Sequence, residues 1–153
     1  YGGCIVYDLH SYNYVRHEKN VPVFNIGTER IDKKRYQKTV NYWFKKLNSI
    51  DIRSTESTTE INGPFQGNGY FLRHITNKFN NTLVLATEVK KIYCDEINGN
   101  DYPLVINDLE EGFKKIMRCN CSMCKRKGYI IGVIGPEDFK LVKGEEFLKL
   151  YED

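Results

Sequence analysis

Two short apolar runs set the limits on how this chain folds. They are Cys4-Ile5-Val6-Tyr7-Asp8-Leu9 and Thr82-Leu83-Val84-Leu85-Ala86-Thr87-Glu88-Val89. Runs of that length, rich in β-branched residues and bounded by glycine or polar residues, read as buried strands. The near-continuous apolar character of the second fits a central strand covered on both faces. Helical patterns lie between and after them. From Asp32, an N-cap residue, the side chains of Tyr36, Val40, Trp43, Phe44 and Leu47 recur on one helical face. Over residues 70–79, Phe71, Ile75 and Phe79 mark the buried stripe of a shorter helix, which Asn80-Asn81 ends. Pro103 suits a first helical position, and Val105, Leu109, Phe113, Ile116 and Met117 continue the stripe. Residues 10–29 read as a long loop, 50–54 as a weak strand, 62–69 as a glycine-rich turn and 129–134 as a last strand. Strands alternating with helices predict an α/β architecture with a mostly parallel or mixed sheet flanked by helices.

Composition narrows the class. A length of 153 residues suits one domain with a sizeable core. Hydrophobic residues at 41% and charged residues at 28% exclude a disordered or collagen-like chain. The net charge of +3, with signs interspersed, is too mild to argue for a nucleic-acid partner. No apolar run approaches the roughly 20 residues of a membrane span. Five cysteines, an odd number in a chain of ordinary size, point to a reducing cytoplasm rather than a disulfide scaffold. The sequons Asn80-Asn81-Thr82 and Asn120-Cys121-Ser122 are attributed to chance in so Asn-rich a chain. A strand pattern starts almost at Tyr1, so the expectation is a portion of a longer protein, with earlier strands upstream, and a processed mature start is the alternative. The segments expected are a domain portion over residues 1–117 and a cysteine-containing basic segment and tail over 118–153.

In open α/β sheets, ligands bind beyond the carboxyl ends of the strands. The first run delivers Asp8 and His10 there, and the second delivers Glu88. Neutral imidazole is a common zinc ligand, and a carboxylate beside a metal-bound water can take its proton. A lone His after a strand is more often structural. Glu88, set in an apolar run, either points out of the sheet end or is paired with Lys90, Lys91 or Arg73, because an unpaired buried charge is costly. Gln66-Gly67-Asn68-Gly69 opens a helix, whose free N–H groups suit an anion. Arg73 follows with a fork that matches a carboxylate. Against that stands a tight turn with a solvated arginine.

Four blocks in order then resemble the N-formylglutamate amidohydrolase family: Asp8-Leu9-His10-Ser11-Tyr12-Asn13; Asn25-Ile26-Gly27-Thr28; residues 62–74, which run from Asn62-Gly63-Pro64-Phe65 to Leu72-Arg73-His74; and Thr87-Glu88-Val89-Lys90-Lys91-Ile92-Tyr93-Cys94-Asp95-Glu96. The likeness is greatest to the flavohaemoglobin expression-modulating, QEGLA-motif proteins. The resemblance implies a fold of the zinc-carboxypeptidase, phosphorylase/hydrolase-like kind, incomplete at its N-terminal side. It implies His10 as a zinc ligand, Glu88 as the catalytic carboxylate and Arg73 as a catalytic residue that also holds the substrate's carboxylate. Ser11, Asn25, Thr28, Gly67 and Gly69 would line the substrate site. The activity implied is zinc-dependent hydrolysis of a small acidic N-acyl amino acid, with zinc as cofactor.

The departures matter equally. The family's other metal ligands, a histidine and a carboxylate, lie upstream of the strand bearing the third, and neither His17 nor His74 takes their place. The expectation is a chain inactive alone, needing the N-terminal part of the same protein as its partner. Cys119, Cys121 and Cys124 beside Lys125-Arg126-Lys127 offer a second zinc site only if a fourth ligand folds in; otherwise they form a reduced surface turn. Two other functions compete with the amidohydrolase. One is a non-catalytic binding or regulatory relative that kept the fold. The other is a carboxypeptidase-type metallopeptidase.

Overall fold

The computed structural model describes residues 4–17 and 20–116. Seven elements follow in chain order: strand β1 (Cys4–Tyr12), strand β2 (Phe24–Gly27), helix α1 (Lys33–Asn48), strand β3 (Thr59–Ile61), helix α2 (Tyr70–Lys78), strand β4 (Thr82–Lys90) and helix α3 (Pro103–Ile116). The four strands form one open sheet in the order β1-β4-β2-β3. The β1/β4 and β2/β3 pairs are parallel, while β2 and β4 run antiparallel. The α/β class with a mixed sheet is therefore established. The expected last strand over 129–134 and the thiols of Cys119, Cys121 and Cys124 lie outside the described residues.

Helix α1 forms where its stripe predicts. The Asp32 side chain accepts from the Arg35 backbone N–H at 3.1 Å, capping one of the orphan donors of the first turn. Such a cap stabilises a helix by about 1 kcal/mol. Val40, Trp43 and Leu47, spaced three and four apart, are buried against the sheet. There they join Phe24, Ile26, Leu83 and Leu85 of the strands and Val105 and Leu109 of α3 in the main core. The indole N–H of Trp43 donates to Thr87 Oγ1 at 2.9 Å, which satisfies the polar atoms of two buried residues at once.

Strand alternation sends the odd residues of β1 and β4 toward that helical layer and the even residues to the opposite face. On the opposite face, α2 covers one end only, packing Leu72 and Ile75 over Val6, Val84 and Ala86. No helix among the described residues is long and apolar enough to cross a membrane.

Three expectations need correction. Residues 10–29 are not one loop, because β1 runs on to Tyr12 and β2 is a fully buried strand within that stretch. Residues 50–54 are not a strand; Ile50 and Ile52 drop into the core from the irregular segment after α1, and the strand lies later, at Thr59–Ile61. The buried residue of α2 is Leu72, whereas Phe71 and Phe79 are 44% and 47% exposed. A nine-residue helix offers two overlapping stripes that share Ile75, and docking on Val84 and Ala86 selects the one through Leu72.

Candidate functional site

The parallel β1/β4 register sets His10 directly beside Glu88, and the antiparallel β4/β2 register sets Glu88 beside Asn25. Asn25 in turn pairs with Glu60 in β2/β3. His10, Glu88, Asn25 and Glu60 thus form one polar row across all four strands, on the face that α2 leaves open. Asp8 precedes His10 by two residues on the same face. The imidazole Nε2–H donates to Asp8 Oδ1 at 2.8 Å. In the neutral ring that bond places the proton on Nε2 and leaves Nδ1 with its lone pair. The His10 side chain is 58% exposed while that of Asp8 is only 14% exposed. The carboxylate is the buried orienter and the imidazole the accessible group.

Glu88 is half-buried, and its carboxyl is pushed above the usual carboxylate range. Burial is the main cause; the positive charge that His10 can carry opposes it, and the negative charge of Asp8 adds to it. Tyr12 closes the row on the same face. Its buried hydroxyl donates to the Pro22 carbonyl. Burial, then the charges of Glu60 and Glu88, push its phenol well above the ordinary value. Tyr12 therefore stays neutral.

The glycine-rich turn is locked onto this row by two asparagines. Asn25 is completely buried, donating from Nδ2 to the Phe65 carbonyl at 2.8 Å and accepting at Oδ1 from the Gly63 N–H at 2.8 Å. Asn62, at φ 54°, accepts from the Thr28 N–H at 2.7 Å and donates to Thr28 Oγ1 at 2.9 Å. Gly27 and Gly67 meet backbone to backbone, so a Cβ on Gly27 would lie 2.3 Å from the Gly67 Cα.

The expected site residues accordingly divide. Asp8, His10 and Glu88 come together, as their places at the ends of the two apolar runs predict. Asn25 and Thr28 are spent on holding the turn; both are buried, so they build the wall rather than face a ligand. Gly67 serves the same turn, and Gly69 is the N-cap of α2, with open space where a side chain would stand. Arg73 lies exposed on α2 and Ser11 exposed on the face of β1 opposite to His10. Glu60 and Tyr12 are not evident in the sequence, because residues 59–61 carry no assigned element and the end of β1 reads as loop. The alternation Asp8, His10, Tyr12 was the available signal.

One imidazole of this kind fits a metal centre, since ligating histidines commonly donate their other N–H to a carboxylate. A catalytic zinc takes three protein ligands. Among the described residues, no group of three or more His, Cys, Asp or Glu side chains is placed to hold a metal ion. The residues fit the group in kind and not in number. No protein-family model, curated protein or solved structure matches the chain.

Proposed function

We propose that the open end of the β1/β4 pair is the proton-transfer part of a zinc-dependent amidohydrolase that acts on a small acidic N-acyl amino acid of the N-formylglutamate kind. One observation carries the reading: an Asp8-oriented imidazole and a half-buried carboxyl with raised proton affinity stand side by side at the carboxyl ends of two parallel strands. That is where α/β sheets place their chemistry. Zinc, held at His10 and at ligands from outside the described residues, would supply an acidified water.

The chain's own groups account for the rest. Glu88 takes the proton of the attacking water, since a carboxyl with raised affinity is a better base near neutral pH than an exposed one. The same carboxyl then returns that proton to the departing amine nitrogen. Asp8 keeps His10 in a single tautomer and orientation, which spares the reacting arrangement an ordering cost.

The test is formate release from N-formyl-L-glutamate by the zinc-supplemented full-length protein. His10→Ala is expected to reduce it to background. Asp8→Asn is expected to lower zinc affinity or turnover by about 10–100-fold, as loss of an orienting partner does. Undiminished turnover in His10→Ala would remove His10 from the reading as a metal ligand, and absence of turnover in the zinc-supplemented wild type would favour a non-catalytic binding module.

A further inference from the structure

Beyond Glu88, the polar row opens into a cleft of about 560 Å³. One wall carries Arg16, His17 and Asn20, and the other carries Glu60, Gly63 and Pro64. Its size lies within the roughly 300–1,000 Å³ of small-molecule sites. The cleft is joined to the row at two points. Glu60 is the last member of the row, and His17 packs edge-on against the Tyr12 ring, with ring centroids 5.8 Å apart.

Both walls are anchored. Glu96 accepts from the backbone N–H groups of Tyr14 at 2.5 Å and Val15 at 3.2 Å, which pins the loop that presents Arg16 and His17. The Lys90 ammonium sits over the Tyr14 ring, 4.4 Å from its centroid, and holds the same loop from below. Across the cleft, a Cβ on Gly63 would lie 2.5 Å from Glu60 Oε2, so the glycine leaves the space that this carboxylate fills. Two polar groups of the cleft are left unspent. The Nε2 atom of His17 is buried and has no hydrogen-bond partner. Arg16 enters no ion pair among the described residues. Buried polar atoms are normally satisfied, so a lone buried ring nitrogen beside an uncommitted guanidinium marks a place for a ligand's acceptor.

We infer that this cleft anchors the free carboxylate of an amino-acid-type ligand, with Arg16 and His17 holding the carboxylate and Glu60 accepting from the ligand's neighbouring N–H. A guanidinium fork matches a carboxylate in shape as well as charge. The opposed carboxylate selects for a ligand that carries a nitrogen donor next to its acid group. The inference deepens the amidohydrolase reading, because it names where the substrate's acid group rests while its acyl end reaches Glu88. It assigns that anchor to Arg16 rather than to Arg73.

Titration of the chain with N-formyl-L-glutamate, followed by calorimetry and by the His17 ring resonances, tests it. Saturable binding that shifts His17 is expected. Arg16→Ala should weaken it by about 10–100-fold, the loss of a charge-assisted pair, and Arg16→Lys should restore part of it. Replacing the ligand's carboxylates by amides should abolish the difference between wild type and Arg16→Ala. Equal binding by wild type and a well-folded Arg16→Ala, absence of any saturable His17 shift, or a loss found only in Arg73→Ala would each overturn the inference. Binding as described without formate release by the full-length protein under zinc supplementation would sink the hydrolase reading and leave the anchor standing. Formate release with an unchanged KM in Arg16→Ala would do the reverse.

Discussion

Replacing Glu88 with Gln is expected to cut amide hydrolysis by about 10²–10⁴-fold, the usual contribution of a positioned general base, while leaving the fold at least as stable at neutral pH. The second half follows from the direction of its shift. Burial raises the carboxyl's proton affinity in the folded chain above that of the unfolded chain. Between the two pKa values the folded state binds more protons, so stability falls as pH rises through that window and stays lower above it. Glu88→Gln is uncharged at every pH and loses this part of the slope. Urea unfolding at several pH values between about 4 and 8 would show the wild type weakening relative to the variant as pH rises. A variant clearly less stable than wild type at neutral pH would mean that Glu88 is held by an ion pair, the structural role that the sequence leaves open.

The second large effect is expected far from any proton transfer, at Gly67. Its φ of +76° is a conformation L side chains rarely adopt, and a Cβ there would lie 2.5 Å from the Gly27 carbonyl carbon. Gly67→Ala adds a left-handed backbone penalty of about 1–2 kcal/mol to an overpacking penalty of about 1–3 kcal/mol. The expected loss is about 2–5 kcal/mol, read as a lower urea midpoint at unchanged slope. Gly69→Ala is the contrast. Its φ of −66° is ordinary and its surroundings are open, so the cost should stay below about 1 kcal/mol. Equal losses at the two glycines would contradict the close packing of the turn on β2. Because Asn25 and Asn62 tie that turn to the sheet, Gly67→Ala should also displace Glu60 and weaken the cleft.

How far the sequence alone reaches depends on how local each signal is. The α1 stripe, the Asp32 cap and the two apolar strands are decided within a few residues and stand where the pattern puts them, but β1, expected to be buried, is exposed or half-buried at every residue except Tyr12. Strand β2 was hidden because its four residues, Phe-Asn-Ile-Gly, carry an asparagine and a glycine, which read as turn. Only the tertiary partners of that asparagine, the Gly63 N–H and the Phe65 carbonyl, make it a core residue. The antiparallel β2/β4 pairing depends on the same hidden strand, so the sheet's mixed order could be stated only as an alternative. At the site, His10 and Glu88 were legible because both end an apolar run. Glu60 and His17 were not, since the first sits in a three-residue strand and the second in a loop whose position depends on Glu96, about 80 residues on.

The central claim is that Asp8, His10 and Glu88 form one electrostatic unit at the open end of β1 and β4. Titration of the Glu88 side-chain carboxyl by carbon-13 NMR, in wild type, His10→Ala and Asp8→Asn, tests it most directly. Glu88 should titrate above an ordinary glutamate in the wild type. His10→Ala should raise it further, because a compensating positive charge is removed, and Asp8→Asn should lower it, because a repelling negative charge is removed. An ordinary value unmoved by either substitution would contradict the account, since Glu88 would then be a solvated carboxylate with no connection to His10.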